Sequence, residues 1–239
     1  MLVFYSMARG GNDMTKSKVF CAVAILDRSE PMMEESLFKA CTSSRLANVG
    51  VYRQMGDSYI MRVRNHAVTD FISNPAYSDF EYYAMWSGDI EVLNNSAQDN
   101  VWDRLIEADK DFVGGVYAPS AEGMIKCTSV ALDGKRIRLN KGLRPLLWLS
   151  GGLWLVRRSA IVRMIQEYPD VHYDGDGPFT GRTVYGLFNG TTSDRPDGTR
   201  KFLTEDYWFC ERWRALAGTI WADTGIHIRH WGKRGYELQ

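Results

Sequence analysis

The stretch Val19–Leu26, with the sequence VFCAVAIL, is apolar at every position. Such a run is typical of a strand that is buried on both faces, because a strand with one face in water alternates apolar and polar residues. A helical pattern follows at Pro31–Leu46, with a proline in its first turn. This order predicts the first strand and helix of a parallel sheet.

The same alternation continues through the first half of the chain. Val49–Met55, Tyr82–Trp86 and Phe112–Tyr117 read as strands, and Ile60–Ile72 and Val101–Asp109 read as helices. Alternating strands and helices favour an α/β fold with an open, Rossmann-like, mostly parallel sheet and helices on both faces. Such sheets bind ligands at the carboxyl ends of their strands.

The second half predicts a smaller, mixed arrangement. Lys126–Leu132 and Arg136–Leu139 resemble a hairpin, Leu146–Arg157 a strand pair or a bent strand, and Arg158–Tyr168 a helix. Residues 174–201 are rich in glycine, aspartate, threonine and arginine, and predict a long loop. A loop of this length in a compact domain is usually functional or disordered.

Composition narrows the class of protein. With 239 residues, 45% of them hydrophobic, the chain can bury the core of one domain, predicted at 18–239 after a flexible extension at 1–17. Lys+Arg and Asp+Glu both number 29, so no global charge attracts nucleic acid or an anionic membrane. The four cysteines form no C-x-x-C pair, and no secretory signal or membrane span is evident. We therefore expect a soluble, cytoplasmic protein.

Four groups of residues are candidates for a functional site. Asp89 follows a buried strand, where a carboxylate can hold a hard divalent cation, although a turn aspartate after glycine is common. Glu205-Asp206 opens an aromatic helix, either as an ordinary capped start or as a general base near a hydroxyl. His230 is predicted at a strand end, as a metal ligand or a surface group. Gly151-Gly152 marks a close approach of the backbone to a ligand or a strand.

The order of these features resembles the GT-A class of nucleotide-sugar glycosyltransferases, particularly the compact GT2-like enzymes of phages, large viruses and bacteria. The resemblance spans about Val19 to Tyr236 and rests on these segments: Val63-Arg64-Asn65 for an "a-R-N" element, Ser87–Ile90 for "D-x-D-I", Ser150–Arg158 for "G-x-G-hydrophobic-I-R-R", Glu205–Cys210 for "E-D-y-x-F-c", Ile220–Asp223 for "i-w-x-D" and His230–Gly232 for "H-x-G". Each motif is loose, whereas the ordered set is fairly specific.

The resemblance implies a site and a reaction. Asp89 and His230 would bind Mn²⁺ or Mg²⁺ on the diphosphate of a nucleotide sugar, with a UDP-sugar favoured. Asp206 would be the base of an inverting transfer to a glycan or another hydroxyl acceptor, and Glu205 would face the same hydroxyl. The other implied contacts are Asp27, Arg64, Asn65, Ser87, Gly88 and Lys233 for the donor, and Gly151, Gly152 and Trp208 for the substrate. Residues 18–118 would form the nucleotide-sugar half and 119–239 the acceptor and catalytic half.

One departure from the family pattern leaves other functions open. Ser87 replaces the first aspartate of D-x-D, which puts sugar choice, metal dependence and activity in question. A degenerate, non-catalytic nucleotide-sugar-binding module is therefore an alternative. Another is transfer to a modified DNA base, supported locally by the basic stretch at 135–144 and weakened by the zero net charge. A dinucleotide-binding dehydrogenase is less favoured, because no G-x-G-x-x-G follows the first strand.

Overall fold

The structure is a computed structural model that describes residues 16–25, 28–119, 127–194, 198–232 and 235–237. The strands of this part of the chain are β1 Ser17–Ile25, β2 Ala47–Met55, β3 Tyr82–Trp86, β4 Ile90–Val92, β5 Phe112–Gly114, β6 Val130–Ala131, β7 Leu143–Trp148, β8 Leu153–Arg157, β9 His172–Asp174, β10 Thr183–Tyr185, β11 Thr191–Asp194, β12 Arg200–Leu203, β13 Ile220–Asp223, β14 Ile228–Trp231 and β15 Gly235–Glu237. The helices are α1 Pro31–Ser43, α2 Ile60–Ser73, α3 Val101–Glu107, α4 Arg158–Glu167 and α5 Glu205–Ala215.

An eight-stranded sheet forms the centre of the molecule, in the order β2-β1-β3-β8-β5-β13-β7-β6. Six strands run in one direction, and β8 and β7 run against them. Strand β8 lies between β3 and β5 and is antiparallel to both. Smaller sheets join β15, β14 and β4, pair β9 with β10, and pair β11 with β12.

Helices cover both faces of the large sheet. In β1, Phe20 and Ala22 pack into a core shared with α2, α4 and α5, whereas Val19, Cys21 and Val23 pack into a second core shared with α1 and α3. Because successive side chains of a strand point to opposite faces, burial on both faces requires the continuous apolar run seen in the sequence. The predicted α/β class, with a mostly parallel sheet, is confirmed.

Several second-half elements differ from the sequence-based prediction. Strand β6 pairs with β7 across a long connection, and residues 136–139 form no strand. The turn predicted at Asp133-Gly134 is present, since the Gly134 amide donates to the Ala131 carbonyl (3.1 Å). Strands β7 and β8 are separate and pair with other strands rather than with each other. The predicted loop at 174–201 contains parts of two short hairpins, whose strands are too polar for apolar periodicity to reveal.

In the described ranges of the chain, no helix is both long and apolar enough to cross a membrane.

Candidate functional site

Asp89 and His230 lie next to each other at the carboxyl end of β3, in the interior of the large sheet's strand order. Asp89 lies in the turn between β3 and β4, and β14 pairs with β4 so that His230 stands opposite Ile90. The amide of Trp231 donates to the carbonyl of Asp89 (2.8 Å), which holds the turn against β14. Nε2 of His230 lies 3.0 Å from Oδ2 of Asp89, although 141 residues separate the two.

The surroundings of the pair shift the pKa values of both residues. Nδ1 of His230 lies 3.1 Å from the carbonyl oxygen of Ala118, and the ring of Tyr117 packs edge-on against the imidazole. Burial lowers the pKa of His230, but Asp89 outweighs burial and leaves this pKa raised. Burial raises the pKa of Asp89, but the hydrogen bond and charge of His230, together with Ser87, leave it lowered. The Asp89 side chain stays 43% exposed, which is enough for a ligand to reach it.

The second carboxylate pair is held by Arg64 and Gly151. Nη1 of Arg64 donates to Oε1 of Glu205 (2.7 Å), and Nη2 donates to the carbonyl of Gly151 (3.0 Å). The amide of Gly151 donates to Oδ2 of Asp206 (2.9 Å). Oδ1 of Asp206 accepts from the Tyr207 amide (2.8 Å). The result is a closed ring of bonds in which Glu205 is neutralised by a guanidinium and Asp206 accepts from neutral donors.

Glycines allow this ring to form. A Cβ on Gly151 would lie 2.6 Å from Nη1 of Arg64, and a Cβ on Gly152 would lie 2.4 Å from the ring of Tyr117. Both contacts are far below van der Waals distance, so the backbone approaches these side chains only because no Cβ intervenes. The close approach expected at Gly151-Gly152 is therefore to protein side chains.

Tyr117 packs against residues near both carboxylate pairs. Its ring lies edge-on to the His230 imidazole and leaves no room for a Cβ on Gly152. Burial raises the pKa of Tyr117, and the charges of Asp206 and Asp89 act on its hydroxyl in the same direction.

The Gly151 amide binds Asp206, and the Ser87 amide binds the Gly152 carbonyl two residues before Asp89. The Asp89–His230 pair and the Glu205–Asp206 pair are therefore connected through the two glycines and form one candidate site.

Two residues predicted to contact the donor lie close to this site. The amide of Ser87 donates to the carbonyl of Gly152 (2.8 Å), which connects the end of β3 to the glycine pair. The carbonyl of Gly88 accepts from the amide of Glu30 (3.0 Å), at the start of α1. Asp27 and Lys233 lie outside the described residues.

Asn65 and Trp208 engage a different part of the molecule. The buried amide of Asn65 accepts from the Phe188 amide and donates to Asn189 Oδ1 (both 2.8 Å). Trp208 packs beside the guanidinium of Arg212, which donates to the carbonyl of Gly186 (3.2 Å). Asn65 therefore binds the segment around 186–189, and Trp208 packs against an arginine that binds the same segment.

The Asp89–His230 pair fits a divalent cation in part. No cluster of three or more His, Cys, Asp or Glu side chains suited to a metal is present in the described part of the chain. The 3.0 Å between Nε2 and Oδ2 matches the roughly 3.0 Å that separates adjacent ligands of an octahedral ion with bonds near 2.1 Å. Nδ1 faces a backbone carbonyl, the usual second partner of a metal-bound histidine. The protein supplies two ligands, and a bound substrate would have to supply others.

Sequence reasoning missed the role of Tyr117 and part of the role of Arg64. Tyr117 appeared as the last residue of a strand, and its position against His230 and Gly152 depends on how β5, β8 and β14 meet. Arg64 was predicted beside a nucleotide, and its bond to Glu205 spans 141 residues. The sequence contains one indication of these contacts. Arg64 is a basic residue on a helix, and it could be expected to pair with the acids at 205–206 near Gly151-Gly152.

Solved structures include one with the same fold along nearly the whole chain. A197 from STIV superposes with a TM-score of 0.54, covering 93% of this chain and 94% of that chain at 12% sequence identity. At this identity the likeness shows the fold alone. A glycosyltransferase involved in the glycosylation of the major capsid of PBCV-1 gives a TM-score of 0.33 and 10% identity over 62% of this chain and 67% of that chain, too distant to carry an argument. No protein-family model and no curated protein sequence matches this chain.

Proposed function

We propose that this protein is a glycosyltransferase that moves a sugar from a nucleoside-diphosphate donor, with a UDP-sugar favoured, to the hydroxyl of a glycan or similar acceptor. The observation that carries the proposal is that Asp89 meets His230 at 3.0 Å and is connected, through Ser87 and the pair Gly151-Gly152, to Asp206. A pair suited to a cation on a diphosphate and a pair suited to activating a hydroxyl are the two parts that this reaction needs.

Asp89 and His230 would hold Mn²⁺ or Mg²⁺ through Oδ2 and Nε2. A bound cation supplies charge that stabilises the departing diphosphate. A hydrogen bond from the Ser87 hydroxyl contributes to lowering the pKa of Asp89. Ser87, which stands in place of the first aspartate of the motif, therefore favours the ionised form of Asp89, the remaining carboxylate ligand. We infer that metal binding depends on Asp89 and persists with serine at position 87.

Asp206 is the better candidate for the base that removes the acceptor proton. Oε1 of Glu205 accepts from the guanidinium of Arg64 at 2.7 Å, so this carboxylate already has a cationic partner. The bonds to Asp206 come from neutral amides and the neighbouring Thr204 hydroxyl. Proton transfer to Asp206 would therefore separate no ion pair, whereas proton transfer to Glu205 would disrupt its pairing with Arg64. Glu205 then orients Arg64 and the glycine backbone. An inverting mechanism requires only this one base.

The direct test is turnover of nucleotide sugars. We would incubate the full chain with UDP-, GDP-, CDP- and dTDP-sugars and Mn²⁺, measure nucleoside diphosphate release with and without a mixed panel of glycan acceptors, and repeat with Asp206→Asn. We expect release with one nucleotide, and at least about a hundredfold loss of kcat in Asp206→Asn, because a positioned base contributes roughly 10²–10⁴-fold. Tight nucleotide binding without turnover would favour the degenerate binding module. Equal turnover by Asp206→Asn would refute the assignment of the base.

A further inference from the structure

Glu91 is a buried acid of β4 that has no part in the chemistry described above. It stands two residues after Asp89, and its side chain is only 11% exposed. In the pairing of β4 with β14, Glu91 lies opposite Arg229 and Ile90 lies opposite His230. Glu91 is therefore one strand position away from the level of the imidazole, on the strand that directly follows the turn of Asp89.

One carboxylate oxygen of Glu91 binds the residues on both sides of His230. Oε2 accepts from the indole N–H of Trp231 (2.9 Å) and from Nη1 of Arg229 (3.2 Å). The guanidinium of Arg229 also packs over the ring of Trp231, 5.5 Å from its centroid. Because successive side chains of a strand alternate between faces, these two side chains share one face of β14 and His230 lies on the other. Glu91 thus holds β14 from the face opposite the imidazole.

Trp231 connects Glu91 to the turn of Asp89. The amide of Trp231 donates to the carbonyl of Asp89 (2.8 Å), while its indole donates to Glu91. One residue is therefore bonded to Glu91 by its side chain and to Asp89 by its main chain. A change in the position of this residue would move β14 relative to the turn, and with it Nε2 of His230 relative to Oδ2 of Asp89, now 3.0 Å apart.

We propose that Glu91 is a positioning residue for the Asp89–His230 pair, which fixes β14 against β4 so that the imidazole faces the carboxylate. It acts on the pair through Trp231 and Arg229. A second consequence rests on the proposed function: the same contacts preorganise the two protein ligands of the cation, and outer partners of this kind typically change metal affinity about 10–100-fold.

Hydrogen exchange of the Trp231 amide, followed by NMR on the full chain without metal or nucleotide, tests the positioning role. We expect this amide to exchange about tenfold faster or more in Glu91→Ala, because the loss of a charged hydrogen-bond acceptor lets the bond to Asp89 open more often. Glu91→Gln keeps an oxygen acceptor at the same reach and should restore most of the protection. An unchanged rate in Glu91→Ala would overturn the proposal.

A second amide separates local from general loosening. The amide of Arg158 donates to the carbonyl of Glu81 (2.8 Å), just before β3 begins, whereas Asp89 follows the end of that strand. Its exchange rate should stay unchanged in Glu91→Ala. If the Arg158 and Trp231 amides were accelerated equally, the effect would be general destabilisation and the positioning role would be wrong.

Glu237→Ala is the matched variant. It removes the other carboxylate bonded to Arg229, which lies 2.6 Å from Nη2 and is 48% exposed, and it leaves the bond from Trp231 to Glu91 in place. The Trp231 amide should therefore stay protected. Acceleration as large as in Glu91→Ala would show that the pair depends on Arg229 and not on Glu91.

The effect on metal binding is measured separately, by thermal melting with whichever of UDP, GDP, CDP and dTDP raises the midpoint. We expect Glu91→Ala to need about tenfold more Mn²⁺ or more for the same rise, and Glu237→Ala to match the native chain. No Mn²⁺ effect in the native chain would refute the metal site of the proposed function, and the exchange rates would still decide the role of Glu91. A native Mn²⁺ response in a Glu91→Ala protein whose Trp231 amide exchanges faster would contradict preorganisation of the ligands.

Discussion

Replacing Arg64 with methionine tests the ring of bonds that holds the two carboxylates. The substitution keeps an unbranched side chain but removes the bonds to Glu205 (2.7 Å) and to the Gly151 carbonyl (3.0 Å). The Arg64 and Glu205 side chains are only 9% and 16% exposed, so the carboxylate is left largely desolvated without a cation. Breaking a fully buried pair costs about 3–5 kcal/mol. Allowing for the partial exposure of Glu205, we expect a loss of about 2–4 kcal/mol.

Urea denaturation followed by tryptophan fluorescence measures this loss. The control is Arg200→Met, where the side chain is 68% exposed and pairs with Asp194, which is 73% exposed. Water screens an exposed pair of this kind, so the control should leave the stability nearly unchanged. At roughly 2–4 °C per kcal/mol for a chain of this size, Arg64→Met should melt about 4–16 °C below the native chain. Equal stability of the Arg64→Met and Arg200→Met proteins would refute the reasoning.

Three further predictions follow from the structure. Gly152→Ala places a Cβ 2.4 Å from the buried ring of Tyr117, and overpacking of this kind should lower the free energy of unfolding by about 1–3 kcal/mol in the same urea assay; an unchanged midpoint would contradict the contact. Burial raises the pKa of Asp103, but hydrogen bonds from Ser44 and from the amides of Leu46 and Arg45 leave this pKa lowered. The ionised Asp103 should therefore stabilise the fold fully above about pH 4, and this stabilisation should be lost as the pH falls through the lower folded-state pKa. In a pH series of unfolding free energies, Asp103→Asn should show a shallower acid slope than the native chain, and equal slopes would contradict this. A fluorescence anisotropy titration should show no salt-sensitive binding of duplex DNA, because the formal net charge of the protein is zero. An affinity for DNA that falls steeply with salt would support DNA as the acceptor.

The fold was predictable where apolar periodicity is strong. The run at Val19–Leu26 predicts a strand covered on both faces, and its alternate residues do enter two separate cores. Strand β8 was recognised as apolar, but its antiparallel insertion between β3 and β5 was not predictable, because order within a sheet depends on long-range pairing. The hairpin strands β11 and β12 are short and largely polar, so local pattern could not separate them from a loop.

The candidate site, like the fold, was only partly predictable from the sequence. The order of the motifs indicated that Asp89 and His230 belong together, and the structure brings them within 3.0 Å. Their binding of a metal stays a prediction. The bond from Arg64 to Glu205 and the position of Tyr117 depend on how helices and strand ends pack in three dimensions. No spacing along the chain encodes such contacts, so the sequence does not predict them. The nucleotide contact expected of Arg64 stays a prediction.

The central claim is that a nucleoside diphosphate binds together with a divalent cation at Asp89 and His230. Thermal melting against UDP, GDP, CDP and dTDP, each with and without Mn²⁺, measures this directly, since a ligand that binds the native state raises the midpoint by mass action. We predict a clear rise with one nucleotide, larger with Mn²⁺, whose Mn²⁺-dependent part disappears in Asp89→Asn and His230→Ala. The control His227→Ala, which removes an imidazole bonded to Asn140, should keep it. No rise with any nucleotide, or an Mn²⁺ effect unchanged in Asp89→Asn, would contradict the account.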